Sequence, residues 1–318
     1  MISKSRQHNL LILSKDSATY KHLIEEASLP GLSIQSTTRA SEAIQLGSHS
    51  DLLLGEPSMI AQVLNSLPQI KWVQTTWAGV EPLMANAVRQ DYLLTNARNV
   101  YGSMMSEYVF GYLLMIERNI LARWQSQLSG KWDDRPYGTL KGKNLGLMGV
   151  GSIGAHIAYT AQHFAMHVYG FTLQTEDCEY VDKYFHGDNL TAFAENLDYL
   201  VCTLPGTSAT RNIVDRDFLA SLPPKAWLIN VGRGSTIYET ALVDALNNTR
   251  LAGAVLDVFS QEPLPPSHPL WSTPNTFITS HTAARNYLPD IAALFIQNYH
   301  RFILDQSLLY QVDFTKGY

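Results

Sequence analysis

Cysteine is nearly absent from this chain. Only Cys178 and Cys202 stand among 318 residues. Two thiols are too few for a disulfide framework or a cysteine-bound metal cluster, so no metal is expected and a reducing cytoplasm is the expected address. Long hydrophobic runs are absent too. The longest near the start, Leu10-Leu-Ile-Leu13, is too short for a secretory leader or a membrane span. Charge of one sign is nowhere concentrated. The formal net charge is −5 with acids and bases interspersed, and the basic stripe that a nucleic-acid binder carries is missing. There is no internal repeat and no low-complexity segment. What remains, 46% hydrophobic and 16% charged residues, fits a globular protein of about two domains with sizeable cores.

The most informative stretch runs from Asn144 to Thr172. An apolar run, Leu145-Gly-Leu-Met148, leads into Gly149-Val-Gly151-Ser-Ile-Gly154. A helical pattern follows, with Ile157, Ala158, Ala161, Phe164 and Ala165 on one side, and a second apolar run, His167–Phe171, closes it. Strand, glycine turn, helix and strand within about 28 residues make one βαβ unit. Gly149 permits the tight turn, Gly151 lets backbone approach a pyrophosphate, and Gly154 lets the helix pack closely on the strand. The first helical N–H groups, those of Ser152 and Ile153 among them, would face the phosphate oxygens. Alone, the glycines could equally be an ordinary turn, and the rest of the chain must decide.

Before this unit, apolar runs recur at Leu10–Leu13, Leu32–Ile34, Asp51–Leu54, Ile70–Val73 and Tyr92–Leu94, with helical segments at Ala18–Ala27, Ala40–Leu46 and Met59–Leu67. Such alternation predicts a parallel sheet covered on both faces. After the strand Lys71–Gln74, the small-residue loop around Ala78, Gly79 and Val80 could aim N–H groups at an anion, or be a plain turn. Met104 to Gln127 reads as one long helix, apolar almost all round. It is expected either at the centre of one chain's core or against a second subunit.

After the glycine unit, strands are predicted at Asp198–Leu204, Ala226–Val231, Gly253–Phe259 and Thr276–Thr279, and helices over Tyr238–Asn247 and from Pro289 onward. Arg233, Asp257, Glu262 and His281 follow these strand ends and would share the face of the glycine turn. Singly, each has a plain structural reading: a surface cation, loop acids, a core histidine. Together, beside a nicotinamide, they suit hydride transfer to a ketone. The developing alkoxide needs a proton donor, and histidine can serve near neutral pH. A carboxylate beside a histidine favours its charged form, and an arginine can hold a substrate carboxylate.

The blocks Asn230-Val-Gly-Arg-Gly234, Leu256-Asp-Val-Phe-Ser-Gln-Glu-Pro263 and Ser280-His-Thr-Ala-Ala284 resemble, in order and spacing, those of the D-isomer-specific 2-hydroxyacid dehydrogenase family. Ile70–Val80 is similar to that family's substrate-carboxylate loop, and Leu204–Thr210 to its segment beside the adenosine. Val312-Asp313 and Gly317-Tyr318 resemble the glyoxylate/hydroxypyruvate reductase branch. The resemblance covers most of residues 70–318. It implies two doubly wound parallel-sheet α/β domains, a flavodoxin-like substrate domain (1–100 and 286–318) with a Rossmann dinucleotide-binding domain (101–285) inserted. Catalysis is then expected in the cleft, near the hinges at 100 and 286.

Carried over by motif, the resemblance implies that Arg233 grips a 2-oxo acid, His281 protonates its carbonyl oxygen and Glu262 keeps His281 protonated. It implies that the N–H groups of Ala78, Gly79 and Val80 receive the substrate carboxylate and that Asp257 holds the nicotinamide carboxamide. Thr172 at the end of the second strand, Thr203, Leu204 and Pro205, and Val231 and Gly232 would complete the cofactor site. The family also implies a homodimer formed through the cofactor domain.

Two departures stand out. Thr172-Leu-Gln-Thr175 has neither the aspartate that binds the ribose of NAD nor an arginine for the 2′-phosphate of NADP, which tips the expectation slightly toward NADP(H) while leaving NAD(H) open. Ser280 replaces the proline that commonly precedes the histidine. The expected function is reduction of glyoxylate or hydroxypyruvate. Phosphoglycerate dehydrogenase is a near rival, although the chain ends too soon for that enzyme's added regulatory domain. A nucleotide-sensing corepressor on the same fold is a rival of another class.

Overall fold

A computed structural model describes residues 7–173 and 175–317; Gln174 and Tyr318, both quoted above, lie outside the described residues. The chain divides into two compact units, one made of Met1–Val100 with Asn286–Tyr318 and the other of Tyr101–Arg285. Each contains one parallel sheet, as the alternation of apolar runs and helical segments led us to expect.

In the first unit the strands are β1 (His8–Leu13), β2 (Leu32–Thr37), β3 (Leu52–Gly55), β4 (Trp72–Thr75) and β5 (Leu93–Thr95). Their spatial order is β2-β1-β3-β4-β5, all parallel. One face of this sheet packs Leu11, Leu13, Leu53 and Val73 against Ala43, Ile60, Val63 and Leu64 from the covering helices. The C-terminal helix, Leu288–Ile303, returns to this unit, and its Phe295 stacks on Trp72 with ring centroids 5.0 Å apart. A buried polar chain fixes the return. The Trp72 indole N–H donates to Thr95 Oγ1, which donates to Gln74 Oε1, and Asn298 Nδ2 donates to that same oxygen.

The second unit holds β6 (Asn144–Met148), β7 (His167–Phe171), β8 (Lys183–Phe185), β9 (Tyr199–Cys202), β10 (Trp227–Asn230), β11 (Gly253–Leu256) and β12 (Thr276–Ile278). Their order is β12-β11-β10-β9-β6-β7-β8, again all parallel. The connections reverse direction between β6 and β9, the crevice where doubly wound sheets bind ligands. Two sequence expectations need correction. The single helix expected over 104–127 is two helices, Gly102–Glu117 and Ile120–Leu128, because Asn119 takes a left-handed conformation (φ 52°) between them. Asparagine tolerates that conformation and ends helices with it, and apolar periodicity does not register the break. The strand β8 and the short helices Leu190–Ala194 and Arg216–Ser221 were not expected at all.

The amino end of this second sheet is fastened by Asp198, whose side chain is largely buried. It accepts the Asn144 N–H at 3.0 Å and pairs with Lys225 at 2.7 Å and Lys143 at 3.6 Å. Burial alone would raise its pKa. The Asn144 N–H and the two lysines outweigh burial and hold the carboxyl below its ordinary value. A depressed carboxylate stabilises the fold above its unfolded pKa, and that contribution is lost as pH falls through the folded value. We therefore expect Asp198→Asn to lower unfolding free energy at pH 7 by about 2 kcal/mol, with the deficit closing below about pH 4, as read from urea unfolding across pH.

Candidate active site

The glycine turn after β6 shows why each of its glycines is there. Gly149 has φ +100° and its N–H donates to the Phe171 carbonyl at 2.9 Å. A Cβ on Gly154 would stand 2.3 Å from the Gly149 carbonyl oxygen, so helix and turn meet backbone to backbone. A Cβ on Gly151 would meet nothing within 4 Å. The space beside Gly151 is open, and the helix Ser152–His163 starts there with its first N–H groups unused by the helix itself. Backbone N–H groups at Gly151, Ser152, Ile153 and Gly154 could hold a pyrophosphate in this open space.

The neighbouring strand ends close in around it. The Thr203 hydroxyl donates to the Gly149 carbonyl at 2.8 Å. A Cβ on Gly232 would lie 2.7 Å from the Leu204 carbonyl oxygen, so the loops after β9 and β10 touch through backbone. Pro205 offers its carbonyl to Thr210, and Val231 is buried, continuing the ladder to Cys202. At the end of β7, the Thr172 carbonyl lies 2.9 Å from His186 Nδ1, and His186 Nε2 lies 2.6 Å from Glu176. The Glu176 carboxylate, then the Thr172 carbonyl, raise the His186 pKa above its ordinary value. An acid is thus held beside Thr172 after all, although it is paired.

Arg233 leaves β10 through a loop that Asn230 fixes on both sides. The Asn230 carbonyl oxygen Oδ1 accepts the Gly232 N–H, and its Nδ2 donates to the Arg233 carbonyl. Asn230 is 1% exposed, and its place as an amide at a strand end is the only local sign of this role. The next residue, Gly234, presses on the chain after β11: a Cβ there would lie within 2.4 Å of three Phe259 backbone atoms. Phe259 in turn donates its N–H to Glu262 Oε1 at 2.9 Å, and Glu262 Oε2 lies 2.8 Å from His281 Nδ1. Backbone packing and two hydrogen bonds therefore connect the Arg233 loop, Glu262 and His281.

His281 is in the left-handed region at φ +55°. Its backbone N–H donates to the Asp257 carbonyl at 2.8 Å. The Asp257 carboxylate, 1% exposed, accepts the Thr279 hydroxyl at 2.5 Å, the Thr282 N–H at 2.7 Å and the Ala283 N–H at 3.0 Å. A carboxylate has about four acceptor directions, and these three donors occupy three of them. Ala78, Gly79 and Val80 belong to the other unit, after β4. There the Trp77 carbonyl accepts from Thr75 Oγ1 and Ala97 N–H, and the Ala78 carbonyl from Asn96 Nδ2. Among the described residues no group of three or more His, Cys, Asp or Glu could hold a metal ion, and no helix is long and apolar enough to cross a membrane.

Residues 110–283 match the family model of the D-isomer specific 2-hydroxyacid dehydrogenase NAD binding domain. A glyoxylate reductase of Thermofilum pendens is 30% identical over 246 residues, 73% of either chain. A D-isomer specific 2-hydroxyacid dehydrogenase family protein from Aeromonas salmonicida superimposes with a TM-score of 0.91 at 40% identity, over 97% of this chain and 99% of that one. An NADPH-dependent glyoxylate/hydroxypyruvate reductase from Sinorhizobium meliloti, solved with NADP and sulfate, gives a TM-score of 0.86 at 25% identity, over 98% and 100%.

Gly151 tests the cradle without disturbing the fold, because a methyl there meets no protein atom. Gly151→Ala should weaken NADPH binding at least tenfold in a fluorescence titration, with the melting temperature of the free protein unchanged.

Proposed function

The chain belongs to the D-isomer specific 2-hydroxyacid dehydrogenase family of NAD(P)-dependent oxidoreductases, and we propose that it reduces glyoxylate and hydroxypyruvate. The observation that carries this reading is the contact chain from the Arg233 loop through Phe259 and Glu262 to His281. The unit Tyr101–Arg285 is then the cofactor domain and the unit of Met1–Val100 with Asn286–Tyr318 the substrate domain.

A reduced nicotinamide, when bound, would supply the hydride. Glu262, fixed by the Phe259 N–H, holds the Nδ1 side of His281, which leaves Nε2 to give a proton to the carbonyl oxygen. Hydride to carbon and proton to oxygen turn the 2-oxo acid into a 2-hydroxy acid. The Arg233 guanidinium binds the oxo acid through charge-assisted hydrogen bonds and draws electron density from the carbonyl. The backbone of Ala78, Gly79 and Val80 receives the substrate carboxylate. Asp257 would hold the cofactor's carboxamide through its remaining acceptor direction. NADP(H) is the proposed preferred form, supported by the missing aspartate at Thr172 and by the pairing of Glu176 with a readily charged His186. The two free thiols, one of them fully buried, support a cytoplasmic address.

A homodimer formed through the cofactor domain is also proposed. Its support is the run of apolar side chains left open on and after the helix Ile120–Leu128. Ile120, Trp124, Leu128 and Trp132 are 49, 55, 67 and 95% exposed, more than the scattered apolar residues of a monomer's surface. Trp124→Glu combined with Leu128→Glu should convert a dimer into monomers by sedimentation velocity. A wild-type protein that sediments as a monomer would remove the proposal.

The function is tested by following absorbance of NADPH and NADH against a panel of 2-oxo acids, where glyoxylate and hydroxypyruvate should turn over fastest. Silence across the panel with intact cofactor binding would overturn it. Arg233→Ala and Glu262→Gln should each lower kcat/KM for glyoxylate by 100-fold or more, on the order of what a single positioned catalytic group contributes. Wild-type kinetics in either variant would take that residue out of the mechanism.

A further inference from the structure

We infer that Tyr108, on the helix Gly102–Glu117, is a positioning residue that acts on His281 through Thr279 and Asp257. This rests on the reading of His281 as the proton donor. The direction of each hydrogen bond follows from the groups present. Thr279 has one hydroxyl proton, and it goes to Asp257 Oδ1 at 2.5 Å, since a carboxylate oxygen can only accept. Tyr108 Oη lies 2.7 Å from the same Thr279 oxygen. With Thr279 already donating elsewhere, the phenol must be the donor. Burial pushes the Tyr108 hydroxyl above its ordinary value, so it keeps the proton that this bond needs.

The chain of donors therefore runs Tyr108 to Thr279 to Asp257. It ends on the carboxylate that also accepts the N–H groups of Thr282 and Ala283, while the Asp257 carbonyl accepts the N–H of His281. Three consecutive N–H groups, those of residues 281, 282 and 283, are thereby tied to one buried residue. A histidine at φ +55° is held there by its surroundings and not by its own preference. The ring of Tyr108 is itself seated against Tyr112, and Tyr112 lies against Phe277 on β12. With both ends of the chain anchored, loss of the Tyr108 hydroxyl removes a donor without opening a cavity.

The test uses the purified full chain with glyoxylate and its preferred reduced cofactor. Thr279→Val should lower kcat on the order of tenfold, the scale of a small misplacement of a catalytic group. KM for glyoxylate should stay within about twofold, because Arg233 is untouched. Thr279→Ser keeps the hydroxyl and should restore kcat. Tyr108→Phe should lower kcat about threefold, the scale of one hydrogen bond. The double variant Tyr108→Phe with Thr279→Val should be no slower than Thr279→Val alone, since both act through one atom.

Tyr108→Phe is conservative enough to fold, which keeps the test open if Thr279→Val does not. Wild-type kcat in Tyr108→Phe, failure of Thr279→Ser to rescue, or effects that multiply in the double variant would each overturn the inference. His281→Ala separates the two levels. If it loses activity while Tyr108→Phe and Thr279→Val match wild type, the positioning role alone falls. If His281→Ala keeps its kcat, the assignment of the proton donor falls and the positioning role with it.

Discussion

The buried carboxylate of Asp257 is the interaction on which the rest of the second unit's chemistry depends. A non-glycine residue in the left-handed region costs about 1–2 kcal/mol relative to its preferred conformations. His281 stays there because its own N–H and the two that follow have no better acceptors than the carbonyl and carboxylate of Asp257. That geometry turns the imidazole toward Glu262. Ser280 brings no ring-imposed rigidity of its own, so the N–H bonds to Asp257 define the loop.

A second constraint is the absence of side chains at backbone crossings. Gly154 against Gly149, Gly232 against Leu204 and Gly234 against Phe259 each leave no room for a Cβ. The last two contacts draw the turns after β9, β10 and β11 together, and the Thr203 hydroxyl on the Gly149 carbonyl joins the turn after β6 to them. Gly151 differs, because a Cβ there would meet no protein atom at all. Three of the four positions serve internal packing, and the fourth leaves the space beside the turn open. Mechanism and fold therefore share one layer of backbone, and functional side chains as far apart in sequence as Arg233 and His281 are spaced by rigid turns.

Much of the fold was legible because parallel sheets announce themselves. Runs such as Leu10–Leu13 and Leu52–Gly55 are fully apolar since both faces are covered, and the turn from Gly149 to Gly154 marks its βαβ unit through the apolar runs and helical pattern that flank it. What stayed illegible was short or broken by a single residue. The edge strand Lys183–Phe185 has three residues and no apolar pattern. The break at Asn119 interrupts a sequence that remains apolar on both sides. The pairing of Glu176 with His186 joins residues ten apart across a turn, and nothing in the sequence between them signals it.

Sequence alone determined the kind of protein. Glycine spacing, apolar runs and the acid, base and arginine that follow successive strand ends are local patterns, and local patterns are set by backbone and side-chain preferences a few residues long. Tertiary structure decided what those residues do to one another. That Asp257 caps the loop of His281, that Asn230 ties down the Gly232–Arg233 turn and that Tyr108 reaches the same loop from a distant helix are outcomes of chain packing. Hydrogen bonds between residues as far apart as Tyr108 and Thr279 leave no trace in either one's neighbourhood, so only the folded chain could reveal them.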